Sequence, residues 1–123
     1  MDAYGKELIL DMRDCDVSMF KRKHFKRYFT ELGALIDVKC ADMYFWDDFR
    51  VPLEERQTDP RLKGTSAVQF ILTSNITVHA LDILKTMYVN IFSCDDFDVQ
   101  EATAFTVSFF KAKEHTQRVL DRV

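Results

Sequence analysis

The chain has 123 residues, a formal net charge of −3 and a hydrophobic content of 47%, with eleven Phe residues. This length has room for one compact domain, residues 1–123, and the apolar content excludes a disordered chain. The net negative charge gives no general attraction for nucleic acid. Without an 18-residue apolar run or a basic-then-apolar leader, we expect a cytoplasmic protein with no membrane partner.

The first predicted elements are a strand and a long helix. Alternating Leu8, Leu10 and Met12 predict a half-buried strand over residues 7–13. Six apolar residues at helical spacing predict an amphipathic helix with Asp16 or Ser18 as N-cap: Phe25, Tyr28, Phe29, Leu32, Leu35 and Ile36. The first half of this helix is basic, and in an acidic protein we interpret this as a solvated face rather than a nucleic-acid site.

The middle of the chain predicts strands around one long loop. A strand is expected over residues 38–46, followed by a polar loop over 47–62, whose length suggests a functional or mobile segment. Alternation resumes at residue 64 and is interrupted by a turn at Thr73-Ser74-Asn75. Strands are then predicted over 76–80 and 86–94, the latter apolar on both faces and therefore central.

The last predicted elements are a helix and an edge strand. Asp98 and Glu101 form a capping-box-like helix start, followed by an apolar stripe of Val99, Ala102, Phe105, Phe109 and Phe110. Residues 115–123 predict the strand. This order indicates an α+β two-layer sandwich, an antiparallel sheet with two helices on one face. The other face is expected to be apolar and covered by a second copy in a homodimer.

The stretch 63–94 sets polar or reactive side chains among apolar ones: Ser66, Ser74, His79 and Cys94. Ser74, His79 and Asp82 are candidates for a hydrolytic triad, although no nucleophile elbow surrounds Ser74. His79 has no second ligand at metal-binding spacing, so no metal site is expected. A purely structural reading is also open, in which Ser74 is a turn residue, His79 a core histidine and Cys94, like Cys15 and Cys40, a buried thiol.

Three segments carry a family resemblance: residues 64–68 (GTSAV), 73–79 (TSNITVH) and 89–94 (VNIFSC). Their motifs and mutual spacing resemble prokaryotic S-adenosylmethionine decarboxylase proenzymes, which show G-V-S-(small), E-S-H-(hydrophobic)-x-I-H and D-(hydrophobic)-F-T-C. The opening segment, residues 5–16, is similar to the first strand of that family.

The resemblance implies a self-processing, pyruvoyl-dependent decarboxylase (a lyase) of polyamine and spermidine biosynthesis. Ser74 would attack the carbonyl of Thr73, the zymogen would split between 73 and 74, and a covalent pyruvoyl group would remain at Ser74. That group would form a Schiff base with a small-molecule amine substrate. By analogy, His79 and Ser66 would serve processing and Cys94 would be the proton donor. His79 and Ser66 are expected close to Ser74.

The chain departs from the family at two places. Thr73 and Asn75 flank Ser74 where the family has Glu and His, so an unprocessed, non-catalytic binding homologue is an alternative. Residues 80–83 (ALDI) replace the T-W-P-E that holds adenosine, which opens arginine or ornithine as substrates. Asp14, Asp82 or a loop acid could then bind the cationic substrate, whereas Trp46, Phe45 or Phe49 could rebuild an adenine platform.

Overall fold

The computed structural model describes residues 2–123, which form a six-stranded antiparallel sheet with two α-helices. In chain order the elements are β1 (Gly5–Arg13), α1 (Arg22–Leu35), β2 (Cys40–Trp46), β3 (Gly64–Ile71), β4 (Ser74–Leu81), β5 (Thr86–Ser93), α2 (Val99–Phe110) and β6 (Glu114–Arg122). The strands lie in the order β2-β3-β4-β5-β1-β6. The predicted α+β fold is confirmed, with β5 inside the sheet and β6 at its edge.

The core lies between the helices and one face of the sheet. Alternate residues of β1, β4 and β5 are almost fully buried on that face, as the period of two requires, and they share one cluster with the helices. From α1 and its C-cap residue Ile36 the cluster takes five of the six predicted residues: Phe25, Tyr28, Phe29, Leu32 and Ile36. Leu35 is only partly buried.

The start of α1 differs from the prediction. The Asp16 carboxylate accepts hydrogen bonds from the backbone N–H and the hydroxyl of Ser18 and thereby caps a short 3-10 turn, Val17–Met19. This local turn uses the capping side chain before the helix begins. α1 starts after Lys21, which makes no side-chain cap bond, so the predicted N-cap is wrong for α1.

The start of α2 matches its prediction, but the buried stripe of the helix is rotated. Asp98 caps the helix by accepting the N–H of Glu101 at 3.0 Å. The buried residues are Ala102, Thr103, Thr106 and Phe110, whereas Val99, Phe105 and Phe109 are only partly buried. Thr106 is tolerated there because its hydroxyl donates to the carbonyl of Ala102 and bonds the buried Tyr28 hydroxyl at 2.8 Å. Neither of the helices that the structure describes is long and apolar enough to cross a bilayer.

We call the sheet face opposite the helices the open face. Its side chains mix aromatic and polar groups, among them Trp46, Ser66, Phe70, Thr77, His79, Tyr88, Asn90 and Phe92. The expectation of an apolar face therefore holds for only some of its positions.

Candidate active site

The turn between β3 and β4 holds a strained residue. Ile71 pairs with Ser74, so Leu72 and Thr73 form a two-residue connection. Such connections commonly require a positive φ, which Gly, Asn or Asp adopt at low cost. Here Thr73, a β-branched residue, takes φ 57°, a conformation that costs about 1–2 kcal/mol. The peptide bond between Thr73 and Ser74 therefore directly follows a residue in a strained conformation.

Ser74 begins β4 with its side chain fixed in place. Only 6% of the residue is exposed, and its Oγ accepts the backbone N–H of Cys94 at 3.1 Å. Cys94 comes directly after β5, which pairs with β4. The hydroxyl of Ser74 is thus held next to the end of β5.

Tyr4, Thr73, Ser74 and Cys94 form what we call the Thr73 cluster. The Thr73 hydroxyl donates to the carbonyl of Leu72 at 2.7 Å and lies 3.5 Å from Cys94 Sγ. The hydroxyl of Tyr4 donates to Thr73 Oγ1 at 3.4 Å. The cluster therefore brings the Ser74 hydroxyl, the strained residue Thr73 and the Cys94 thiol to one end of the sheet.

Cys94 is distinct from the other two cysteines. Hydrogen bonding from the Thr73 hydroxyl is the main cause that lowers the pKa of Cys94, with further bonds from Ser74 and Tyr4, while partial desolvation and Asp95 oppose the shift. Burial and, to a smaller extent, Asp14 raise the pKa of Cys15 to about 11. Of the three thiols only Cys15 is buried, so the expectation of burial is wrong for Cys40 and Cys94.

A cleft of about 210 Å³ opens beside Cys94, and we call it the acidic cleft. Asp95, Asp96 and Asp121 line it together with Lys6. Lys6 forms an ion pair with Asp96 and lowers the pKa of that carboxyl group. Three carboxylates thus face one ammonium group, an arrangement that attracts a cationic ligand.

Ser66 and His79 form a second polar pair on the open face. They are directly opposite each other in the β3–β4 pairing, and Ser66 Oγ lies 2.8 Å from His79 Nδ1. With Tyr44, Trp46, Val68 and others they line a groove of about 300 Å³. Trp46 is 82% exposed at this groove, so its indole is free to stack on a ligand.

The Thr73 cluster and the Ser66–His79 pair are far apart within one chain. The expectation that His79 and Ser66 lie close to Ser74 is therefore wrong. Ser74 and His79 are five residues apart on β4, a rise of about 16 Å. Because five is odd, their side chains also point to opposite faces of the sheet. Ser74 accordingly lies on the buried side and His79 is exposed.

The predicted acidic substrate ligands lie at the other end of the sheet from Cys94. Asp14 follows β1 and lines a cavity of about 390 Å³ with Lys85, Lys111 and Lys113. Asp82 follows β4 and lines a cavity of about 530 Å³. One of its oxygens is buried with no hydrogen-bond partner among the described residues. Burial, and to a smaller extent Asp48, raise the pKa of Asp82, which Lys63 partly offsets.

The long loop is fastened to α1 beside Trp46. Arg22 donates two hydrogen bonds to the Asp47 carboxylate, from Nε and from a terminal nitrogen, both at 2.8 Å. Its guanidinium also lies over the rings of Phe49 and Phe45, 4.3 and 5.1 Å from their centroids. Lys63, directly after the loop, forms a single ion pair with Asp48 at 2.8 Å. The start of the loop region 47–62 is therefore anchored to α1 and tied to the residue that follows the loop.

Strand and motif patterns pointed neither to Tyr4 nor to the acidic cleft. Both depend on β1 lying next to β5, where Lys6 pairs with Ser93. That pairing brings the residues before Gly5 beside Cys94. Had the first strand been paired with the strand ending at Cys94, Tyr4 would have been found.

Comparisons with known proteins agree with this architecture. The family model of S-adenosylmethionine decarboxylase matches residues 6–123. A crystal structure of the adenosylmethionine decarboxylase from Aquifex aeolicus VF5 has a similar fold, with a TM-score of 0.78 at 13% identity, over 99% of this chain and 92% of that one. A search of curated proteins finds no match.

The chain belongs to the S-adenosylmethionine decarboxylase family. The predicted family membership is confirmed, and membership implies a decarboxylase.

Proposed function

We propose that this protein is a self-processing, pyruvoyl-dependent decarboxylase that cleaves its own chain between Thr73 and Ser74. The observation that carries the proposal is the Thr73 cluster. It joins a residue in a strained backbone conformation, a fixed serine hydroxyl and a cysteine of lowered pKa. A hydrolase using Ser74, His79 and Asp82 is not supported, because Ser74 and His79 lie about 16 Å apart and on opposite faces.

The cleavage chemistry follows from the residues of the turn. Ser74 Oγ attacks the carbonyl carbon of Thr73, the Ser74 nitrogen leaves, and an ester forms. Loss of the Ser74 α-proton and breakage of the Cβ–Oγ bond then release Thr73 as a carboxylate. Water then displaces the nitrogen of residue 74, which leaves as ammonia, and residue 74 becomes the pyruvoyl group.

The residues around position 74 fit such a group. The Cys94 N–H donates to Ser74 Oγ, the oxygen that leaves with Thr73, so this donor lies next to the atoms that react. The acidic cleft opens beside Cys94, which leaves room for a substrate amine. The pyruvoyl group would supply an electrophilic carbonyl that accepts a substrate amine and draws electrons from its α-carbon. Cys94 would donate the proton that replaces CO2 on that carbon, a role suited to a thiol of lowered pKa.

The separation of Ser74 from His79 supports a two-subunit site. We infer a homodimer in which two open faces pack about a two-fold axis, so that each sheet lies reversed over the other. Ser66 and His79 at one end of a sheet would then lie near the partner's Thr73 cluster, and the reverse contact would follow by symmetry. Exposed aromatic side chains on this face, Trp46 at 82% and Phe70 at 43%, favour such burial.

Subunit mixing tests this arrangement. Ser74→Ala cannot be cleaved, and His79→Ala lacks the processing histidine, so each variant alone is expected to stay intact. When both are co-expressed, intact mass measurement should show fragments 1–73 and 74–123 from the His79→Ala chain only. Mixed dimers that stay uncleaved would contradict the two-subunit site. A single full-length mass for the wild type would contradict self-processing. It would favour the alternative that the protein is an unprocessed, non-catalytic binding homologue.

Two substrate classes have support from different features. The groove at Trp46 offers an indole to the adenine of S-adenosylmethionine, the substrate that the family name gives. The acidic cleft favours arginine or ornithine as the second candidate, since the adenosine-holding T-W-P-E is absent. Release of CO2 from the three compounds in parallel distinguishes them. Trp46→Ala should raise KM for S-adenosylmethionine and leave KM for arginine unchanged.

A further inference from the structure

Tyr4 is fixed in front of β1 by two contacts besides its bond to Thr73. Its backbone N–H donates to the carbonyl of Arg122 at 2.6 Å, and its ring stacks on Phe92 with centroids 6.3 Å apart. Because both contacts belong to neighbouring strands of the sheet, the phenol hydroxyl is held by rigid elements.

The Thr73 hydroxyl connects Tyr4 to the thiol. Its one proton serves the Leu72 carbonyl or Cys94 Sγ, and in either case its oxygen can accept from Tyr4. Cys94 Sγ lies 3.5 Å from the same oxygen. A donor that polarises a hydroxyl strengthens the next hydrogen bond in the chain. The Tyr4 hydroxyl thus reaches the backbone of the turn through the Thr73 hydroxyl, and it is also one of the donors to Cys94.

We propose that Tyr4 is a positioning residue of the cleavage site, whose hydroxyl holds Thr73 in its strained conformation and against Cys94. This inference rests on the proposed self-cleavage but adds a residue and a mode of action to it. Among the described residues, no hydrogen bond joins Tyr4 to Ser74 or to the carbonyl group that reacts. The effect of Tyr4 on the rate of cleavage is therefore expected only while the Thr73 hydroxyl is present.

The charged surroundings of Cys94 do not depend on the Tyr4 hydroxyl. Asp95 follows Cys94 in the chain, Lys6 and its partner Asp96 approach from β1 and the β5–α2 segment, and Asp121 approaches from β6. Tyr4→Phe keeps these groups and the ring that stacks on Phe92. A change in thiol titration between wild type and this variant consequently reports the phenol hydroxyl.

The first measurement is the rate of self-cleavage, followed by intact mass from freshly made precursor. Tyr4→Phe is expected to slow it by about two- to fivefold, the range for one long hydrogen bond. Tyr4→Phe should have the same effect in a Thr73→Ser background, which keeps the hydroxyl, and no further effect in Thr73→Val, which removes it. Equal slowing in the Ser and Val backgrounds would overturn the proposal, because Tyr4 would then act independently of Thr73.

The second measurement does not require cleavage. In Ser74→Ala precursor, the alkylation rate of Cys94 is followed against pH by peptide mass spectrometry, which separates Cys94 from the exposed Cys40. The profile is expected to move to higher pH in Tyr4→Phe, since a donor to the thiolate is lost. If Tyr4→Phe changes neither the alkylation profile of Cys94 nor the rate of self-cleavage, the proposed role of Tyr4 is overturned. A shifted profile in a protein whose wild type never cleaves would support the Tyr4 contact and contradict the proposed function.

Discussion

Replacing Arg22 by Met tests whether the clamp on Asp47 stabilises the fold. The Asp47 side chain is only 11% exposed and accepts two bonds from Arg22, so the variant leaves a mostly buried carboxylate without its cation. Bonds between charged groups contribute about 1.5–3 kcal/mol each. The Arg22 side chain is 36% exposed, however, and water weakens the pair. We expect a loss of about 1–2 kcal/mol in the free energy of unfolding.

The same pair predicts a pH dependence. The hydrogen bond from Arg22 is the main cause that lowers the pKa of Asp47 below its ordinary value of 3.8. A depressed carboxyl pKa contributes stability that is complete above the unfolded-state pKa and is lost as pH falls through the folded-state pKa. The difference between wild type and Arg22→Met should therefore be full at pH 7 and shrink below about pH 4.

Urea unfolding at several pH values measures this difference. Arg27→Met is the matched control, since Arg27 lies on the same helix and pairs with Glu31 with both side chains at least half exposed. That control should lose about 0.5 kcal/mol or less. If Arg22→Met costs no more than Arg27→Met, or if its cost is the same at pH 7 and pH 3, the reasoning about the clamp is refuted.

Three further predictions follow from single contacts. Cys94→Ala should leave cleavage intact and lower CO2 release about 100-fold or more, whereas unchanged turnover would exclude Cys94 as the proton donor. Gly5→Ala should lower stability in urea by about 1–3 kcal/mol, because a Cβ there meets the carbonyl of Ser93; a neutral effect would contradict this close approach. Thr106→Val should lower the free energy of unfolding more than Tyr28→Phe does. Thr106→Val leaves the buried Tyr28 hydroxyl without an acceptor, whereas Tyr28→Phe leaves the Thr106 hydroxyl bonded to Ala102. Calorimetry of both variants tests the order, and the reverse order would be a refutation.

Local periodicity was enough to predict most of the elements. Alternation at Leu8, Leu10 and Met12 follows from one buried sheet face, and the helical spacing around Tyr28 follows from one buried helix face. The strand order could not be predicted in this way. The placement of β1 between β5 and β6 depends on packing across the whole chain, and local spacing contains no information about it.

Part of the candidate site was also predictable from local residue spacing. The spacing of Ser66, Ser74, His79 and Cys94 resembled one family, and the family model agrees. The grouping of these four residues into one place was wrong within one chain. The predicted turn at Thr73-Ser74-Asn75 is the source of this error, because Ser74 and Asn75 belong to β4 in the structure. Ser74 and His79 are then an odd number of residues apart on one strand, which puts their side chains on opposite faces.

The strand order has a consequence for refolding. A cut between Thr73 and Ser74 would leave β1, β2 and β3 on one fragment and β4, β5 and β6 on the other, and β1 lies between two strands of the second fragment. The fragments would stay interlocked through three strand pairings: β3 with β4, β5 with β1, and β1 with β6. Once unfolded, they would have to find each other by diffusion, so recovery would depend on protein concentration. The uncut precursor would recover as one chain, at a rate independent of concentration.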